Sequence, residues 1–171
     1  MRYLTVVRHA KATPATPGAS DFDRGLSERG KSQCEQLRAW SKDKRVLGLY
    51  GPATALVSAA ARTRETYQRS FAGTTLVQSV SYSELIYNGL KEVSAEDLLI
   101  DLAAIDPVTT SLLVVAHNPT VLEVMYVLAK KLPHSLRRDR YPLGGAYVLE
   151  LPGDAPIGLA RYEVVEHFVP D

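Results

Sequence analysis

Tyr3-Leu4-Thr5-Val6-Val7-Arg8-His9-Ala10 is the stretch on which the reading of this chain turns. Its first five residues are mostly apolar and β-favouring, the signature of a strand buried on both faces. A permanent cation, Arg8, and an imidazole, His9, stand directly beyond it. Ligand crevices in open α/β sheets lie past the carboxyl ends of the strands, so the pair is expected to project into one. A neutral imidazole nitrogen is a good phosphoryl acceptor, and a guanidinium matches phosphate oxygens in bidentate fashion. A strand that merely ends in two solvated polar residues would look the same in isolation.

The arrangement recurs. Ser111-Leu112-Leu113-Val114-Val115-Ala116 is a second apolar run of strand length, and it delivers His117-Asn118-Pro119. A third strand, expected at about Thr54 to Val57, leads into Ser58-Ala59-Ala60-Ala61-Arg62-Thr63-Arg64-Glu65-Thr66, a helix-forming run with Ser58 near its N-cap. Arg62 then falls in the first helical turn, where a cation opposes the dipole. An anion bound at the same place would give it a reason. In a parallel sheet these ends share one edge, so Arg8, His9, Arg62 and His117 converge from distant sequence. Guanidiniums only donate and would repel a cation, which makes the set a poor metal site and a good host for a phosphoryl group. Neither metal nor cofactor is expected.

Length and composition agree. The 171 residues are expected to form one domain, 1–171, able to bury roughly two thirds of the unfolded chain's surface. Hydrophobic content is 46% and charged content 23%, ordinary for a globular protein. A net charge of +1 gives no global field to recruit nucleic acid or an anionic membrane, so neither is expected as a partner. The single cysteine, Cys34, can form no internal disulfide and reads as a small hydrophobe on a helix face. The apolar run after Arg2 is too short for a signal peptide, no run approaches membrane-spanning length, and a cytoplasmic protein is expected.

The remaining elements follow in order. Lys11 to Gly25 is a loop broken by Pro14, Pro17 and Gly18, and its Lys11 and Arg24 could lean toward an anion at His9. Ser27 and Glu28 open a helix running to about Lys42 that buries Cys34, Leu37 and Trp40. Thr74 to Val80 suggests a short strand, and Tyr82 to Gly89 an irregular segment. Ser94-Ala95-Glu96-Asp97 caps a helix carrying Leu98, Leu99 and Leu102, closed by Asp106-Pro107. Another helix begins at Asn118-Pro119-Thr120, with Val121, Val124, Met125 and Leu128 facing inward. A loop covers Leu132 to Pro142. Gly145 to Leu151 and Leu159 to Phe168 alternate as two strands paired antiparallel around Pro152-Gly153-Asp154.

Taken as an ordered set, Arg8-His9-Ala10, Leu26-Ser27-Glu28-Arg29-Gly30, Ser58-x-x-x-Arg62-Thr63-x-Glu65-Thr66 and Val115-Ala116-His117-Asn118 resemble the histidine phosphatase superfamily. Within it the chain looks most like the small phosphohistidine phosphatases of the SixA type. The resemblance implies a phosphoglycerate mutase-like, three-layer α/β/α sandwich with a mostly parallel central sheet and no large lid subdomain. It further implies that His9 is phosphorylated during turnover, that Arg8, Arg62 and His117 bind the phosphoryl group, and that inorganic phosphate is the product. Ala10 stands where many members have glycine, and Ala59 where proline is frequent. Glu84 sits roughly where relatives place a leaving-group acid, and it reads equally well as a solvated loop carboxylate.

The chemistry expected of such a site is metal-independent. Arg8 and Arg62 would stabilise charge on the equatorial oxygens, His117 would add a third cation if protonated, and His9 would stay neutral under the nearby arginines. Phosphohistidine in a protein is the leading substrate, since its second ring nitrogen takes a proton from solvent and makes a good leaving group. Small phosphate monoesters are the alternative, and a non-catalytic phosphate-binding module is a third reading. The short span between Arg62 and His117 predicts a shallow, open pocket. His134 and His167 are expected to be structural.

Overall fold

The computed structural model describes residues 2–43, 52–89, 91–105, 111–136, 140–152, 157–158 and 160–171. Six strands form one sheet: β1 Arg2–Arg8, β2 Ala53–Ser58, β3 Val77–Ser83, β4 Ser111–Ala116, β5 Ala146–Leu151 and β6 Glu163–Phe168. Their spatial order is β3-β2-β4-β1-β5-β6, with β1 to β4 mutually parallel and β5 antiparallel to both β1 and β6. Among the described residues four α-helices join them: α1 Glu28–Ser41, α2 Ala61–Ser70, α3 Ala95–Ala103 and α4 Thr120–Leu128.

Successive strand side chains point to opposite faces, and that period sorts the core into two halves. Leu4, Val6, Leu112 and Val114 pack with Leu98 and Leu102 of α3 and Val121, Val124 and Met125 of α4. Their neighbours Val7, Leu113 and Val115 face the other way, onto Leu37 of α1, Tyr67 of α2 and Phe71 just beyond it. The result is the three-layer α/β/α sandwich with a mostly parallel sheet. Strand β4, apolar at all but its first position, is buried at every residue because helices cover both faces.

Local chemistry explains the helix starts. Ser27 caps α1, its hydroxyl accepting from the Gly30 N–H, and Ser94 and Asp97 close a reciprocal capping box on α3. Cys34 is fully buried on α1 as a small apolar residue, whereas Trp40 is only partly buried and stacks on Phe168. Three expectations are corrected. The N-cap of α2 is Ala60, with no side-chain hydrogen bond, because Ser58 still belongs to β2. Strand β3 starts three residues later than expected and runs on through Tyr82 and Ser83: Thr74 is taken up by a turn, donating its hydroxyl to the Phe71 carbonyl, and the exposed edge strand lacks a clean apolar pattern. The last strand begins at Glu163 rather than at Leu159, which lies outside the described residues, as do Asp106-Pro107 and Gly153-Asp154. A short 3-10 turn, His134–Leu136, interrupts the Leu132 to Pro142 loop.

Among the described residues no helix is long and apolar enough to cross a membrane.

Candidate active site

Register places the site before any side chain is considered. Arg8 of β1 pairs with Ala116 of β4, and Val57 of β2 pairs with Val115. The residues just beyond, His9, Ser58 and His117, therefore share the carboxyl edge of three adjacent parallel strands. The His9 backbone N–H donates to the Ala116 carbonyl and locks that alignment.

His9 and His117 face each other with ring centroids 5.1 Å apart and an interplanar angle of 56°. They share an open cavity of about 240 Å³ with Arg8, Arg62, Lys11, Arg24, Asn88 and Asn118 among its walls. His9 is 9% exposed, Arg62 5% and His117 2%, so the reactive groups form its floor. The structure thus brings together Arg8, His9, Arg62 and His117, and also Lys11 and Arg24. Among the described residues lining this cavity none is a carboxylate, and no group of three or more His, Cys, Asp or Glu side chains is placed to hold a metal ion.

The His9 tautomer follows from its partner. Nδ1 lies 2.8 Å from the Ala10 carbonyl oxygen, which can only accept, so Nδ1 carries the proton and Nε2 is left bare. Burial pushes the His9 pKa down to about 3, with the charges of Arg62, Arg8 and Arg24 acting in the same direction. Burial therefore outweighs the arginines that the sequence suggested as the cause. His117 is lowered further, to about 2, by burial and then by His9 and Arg62. The condition for a third cation, a protonated His117, is thereby disfavoured, and the ring acts as a neutral hydrogen-bonding group. Its Nε2 is 2.8 Å from the Ser58 hydroxyl, and its Nδ1 is buried without a partner.

Both guanidiniums are held from one end. Arg62 donates from Nη1 to the Asp21 carbonyl (2.8 Å) and from Nη2 to the Asp21 carboxylate (3.0 Å), while its Nε is buried and unpartnered. Arg8 donates from Nη1 to the Tyr141 carbonyl, and its Nε is likewise buried and unpartnered. Each arginine thus keeps its Nε–H for a further acceptor, the kind of charge-assisted donor that suits phosphate. A buried donor without a partner costs about 1–3 kcal/mol, and three residues that line this cavity each carry a buried, unpartnered nitrogen: Arg8 Nε, Arg62 Nε and His117 Nδ1.

Residues that the sequence did not single out hold this arrangement. Asp21, in the loop after β1, also accepts from Arg24 and from the Tyr87 hydroxyl. Burial raises its pKa, but the Tyr87 and Arg24 hydrogen bonds and the Arg62 and Arg24 charges outweigh that and hold it at about 2. The Tyr87 ring lies 5.7 Å from the Arg62 guanidinium and meets His117 edge-on at 5.6 Å. In the α2 motif, Thr66 accepts from the Ala10 N–H, Glu65 from the Leu26 N–H, and Thr63 donates to the Ser58 carbonyl. Motif position was the only sequence signal for Thr63, Glu65 and Thr66, and Asp21 and Tyr87 lie in no motif; the contacts of Thr66, Glu65 and Tyr87 span tens of residues.

Glu84 is not brought to the cluster. It follows directly on the last residue of β3, exposed, and lines a neighbouring cavity of about 660 Å³ with Asp21, Phe22, Leu85 and Tyr87. His167 stacks on Tyr147, and neither it nor His134 lines the cavity at His9.

No protein-family model matches the sequence, and no curated protein does. Solved structures do. A protein assigned as the phosphohistidine phosphatase SixA of Agrobacterium tumefaciens superposes with a TM-score of 0.77 at 29% identity, covering 99% of both chains. Its counterpart from Nakamurella multipartitia gives 0.77 at 26%, covering 99% of this chain and 96% of its own. The protein histidine phosphatase SixA in complex with tungstate gives 0.74 at 19%, covering 98% and 97%, which speaks to fold. With both histidines and both arginines at the carboxyl edge of the same sheet, the chain has SixA phosphohistidine phosphatases, members of the histidine phosphatase superfamily, as its structural neighbours.

Proposed function

We propose that this chain is a phosphatase that takes the phosphoryl group of a protein-borne phosphohistidine onto its own His9 and then transfers it to water. The observation that carries the reading is the bare Nε2 of a fixed, neutral His9 in a cavity whose Arg8 Nε, Arg62 Nε and His117 Nδ1 lack partners. Phosphoryl transfer asks mainly for positioning and for charge stabilisation on three equatorial oxygens. The Nε–H donors of Arg8 and Arg62 and one imidazole N–H would supply it.

In the first step a His9 Nε2–phosphorus bond forms as the substrate's phosphorus–nitrogen bond breaks. The departing imidazole keeps the electron pair and leaves neutral, its other nitrogen having been protonated from solvent. In the second step water attacks phosphorus, its proton passes to solvent, the His9 Nε2 bond breaks, and inorganic phosphate departs.

Substrate class follows from the proton balance. An alkoxide leaving group needs an acid, and general acid catalysis is worth about 10²–10⁴-fold. Among the described residues the lining of the His9 cavity offers no carboxylate, and Asp21, held near 2, is ionised at neutral pH. Imidazole needs no such help. Two SixA-assigned proteins are structural neighbours above 25% identity, and a third neighbour holds tungstate, a tetrahedral oxyanion. We take the whole of 1–171 as one catalytic domain.

A phosphohistidine-bearing protein competed against sugar phosphates and phosphoserine tests this. The expected kcat/KM favours phosphohistidine by about 100-fold or more, the value of the missing acid. Preference for a sugar phosphate would overturn the substrate assignment.

A further inference from the structure

Ser58 ends β2 fully buried, with its hydroxyl 2.8 Å from His117 Nε2. Neutral imidazole carries a single N–H, and two arrangements are open. If Nε2 carried it, the Ser58 oxygen would accept it. The serine's own proton would then have no acceptor among the described residues, and Nδ1 would be a buried lone pair with no donor. If Nε2 is bare, Ser58 donates to it, and only the Nδ1–H lacks a partner. That remaining group is a donor in a cavity lined by Arg8, Arg62 and His9, where a phosphoryl oxygen would accept from it. One unmet group costs less than two, and an oxyanion satisfies only the second arrangement.

We propose that Ser58 is a positioning residue: its hydroxyl donates to His117 Nε2, fixes the imidazole as the Nδ1–H tautomer, and so makes a neutral His117 a hydrogen-bond donor to the phosphoryl group. The inference rests on the phosphoryl-transfer reading above. It gives His117 a way to stabilise an oxyanion without carrying charge, which suits a ring that burial keeps neutral. The hydroxyl does for His117 what the Ala10 carbonyl does for His9, with the opposite sign: one ring is left with a bare nitrogen, the other with a free N–H.

Long-range nitrogen–proton spectra of the imidazoles, with the His117 signals assigned from a His117→Gln variant, read the tautomer in the resting protein and with inorganic phosphate. The expected result is a protonated Nδ1 and a bare Nε2. In Ser58→Ala that preference is lost and kcat falls by about 10-fold or more, as when a supporting group stops orienting a catalytic ring. Ser58→Thr, which keeps the hydroxyl, restores both. A protonated Nε2 in the unaltered protein overturns the proposal, as does the Nδ1–H tautomer persisting in folded Ser58→Ala. So would Ser58→Thr, shown folded by circular dichroism, behaving like the alanine variant. Failure of the phosphatase reading would show separately, as an absence of phosphate release by the unaltered protein, because the tautomer is read without turnover.

Discussion

Arg62 answers to two acceptors at once. Its Nη atoms grip Asp21, and its buried Nε has no partner and would serve the phosphoryl group. A planar fork can serve both partners in fixed geometry, whereas an ammonium is a single point charge. Arg62→Lys is therefore expected to retain the fold and lose about 100-fold in kcat/KM, the usual loss when one oxyanion donor is removed. Steady-state kinetics beside a circular dichroism spectrum check it, and a loss under threefold would mean that the fork is not used. Arg62 was legible in the sequence because a cation in a first helical turn needed an explanation. Asp21 was not, since a loop aspartate looks solvated until its four hydrogen bonds are seen. Ser58 read as a helix cap because its actual partner lies 59 positions away.

At the scale of elements, the loop after β1 is clamped onto α1. Lys11 accepts through its carbonyl from both the N–H and the hydroxyl of Ser27, and its own N–H donates to the Gln33 side chain. Gly30 makes this approach possible: a Cβ there would stand 2.1 Å from the Lys11 carbonyl oxygen. Gly30→Ala must push the loop away, and with it the Ala10 carbonyl that sets the His9 tautomer. Destabilisation of about 1–3 kcal/mol is expected, with a drop in activity at temperatures where the variant remains folded. Urea unfolding and kinetics measure both, and a variant equal to the parent in each would contradict the clamp. The buried strands were readable from sequence because helices on both faces demand apolar residues at every position, as in Leu112 to Val115. Strand β3 was placed three residues early because an edge position makes no such demand, so Val77 to Ser83 carries a mixed pattern.

At the scale of the whole molecule, burying two neutral histidines ties stability to pH. His9 is held at about 3 and His117 at about 2, against roughly 6.5 in the unfolded chain. Below about pH 6.5 the unfolded state binds protons that the folded state refuses. This contribution is complete above that pH and is lost as the pH falls toward 3. The slope is up to about 1.4 kcal/mol per pH unit for each histidine. Urea midpoints between pH 7 and 4.5 should fall accordingly, and less steeply in a His9→Gln/His117→Gln double variant. Equal slopes would mean that the rings are not held neutral by burial. Catalysis is expected to keep its nucleophile over the same range, since His9 is already deprotonated.

Arg8 at the end of β1, His9 and His117 just beyond β1 and β4, and Arg62 in the first turn of α2 would surround one tetrahedral oxyanion, with His9 Nε2 as its acceptor. Rapid quench with a phosphohistidine protein carrying labelled phosphate tests it directly. The label is expected on His9 within the first turnover, as an acid-labile, alkali-stable adduct that is absent from the folded His9→Ala variant. Phosphate release with no labelled enzyme, or a label that survives His9→Ala, would contradict it.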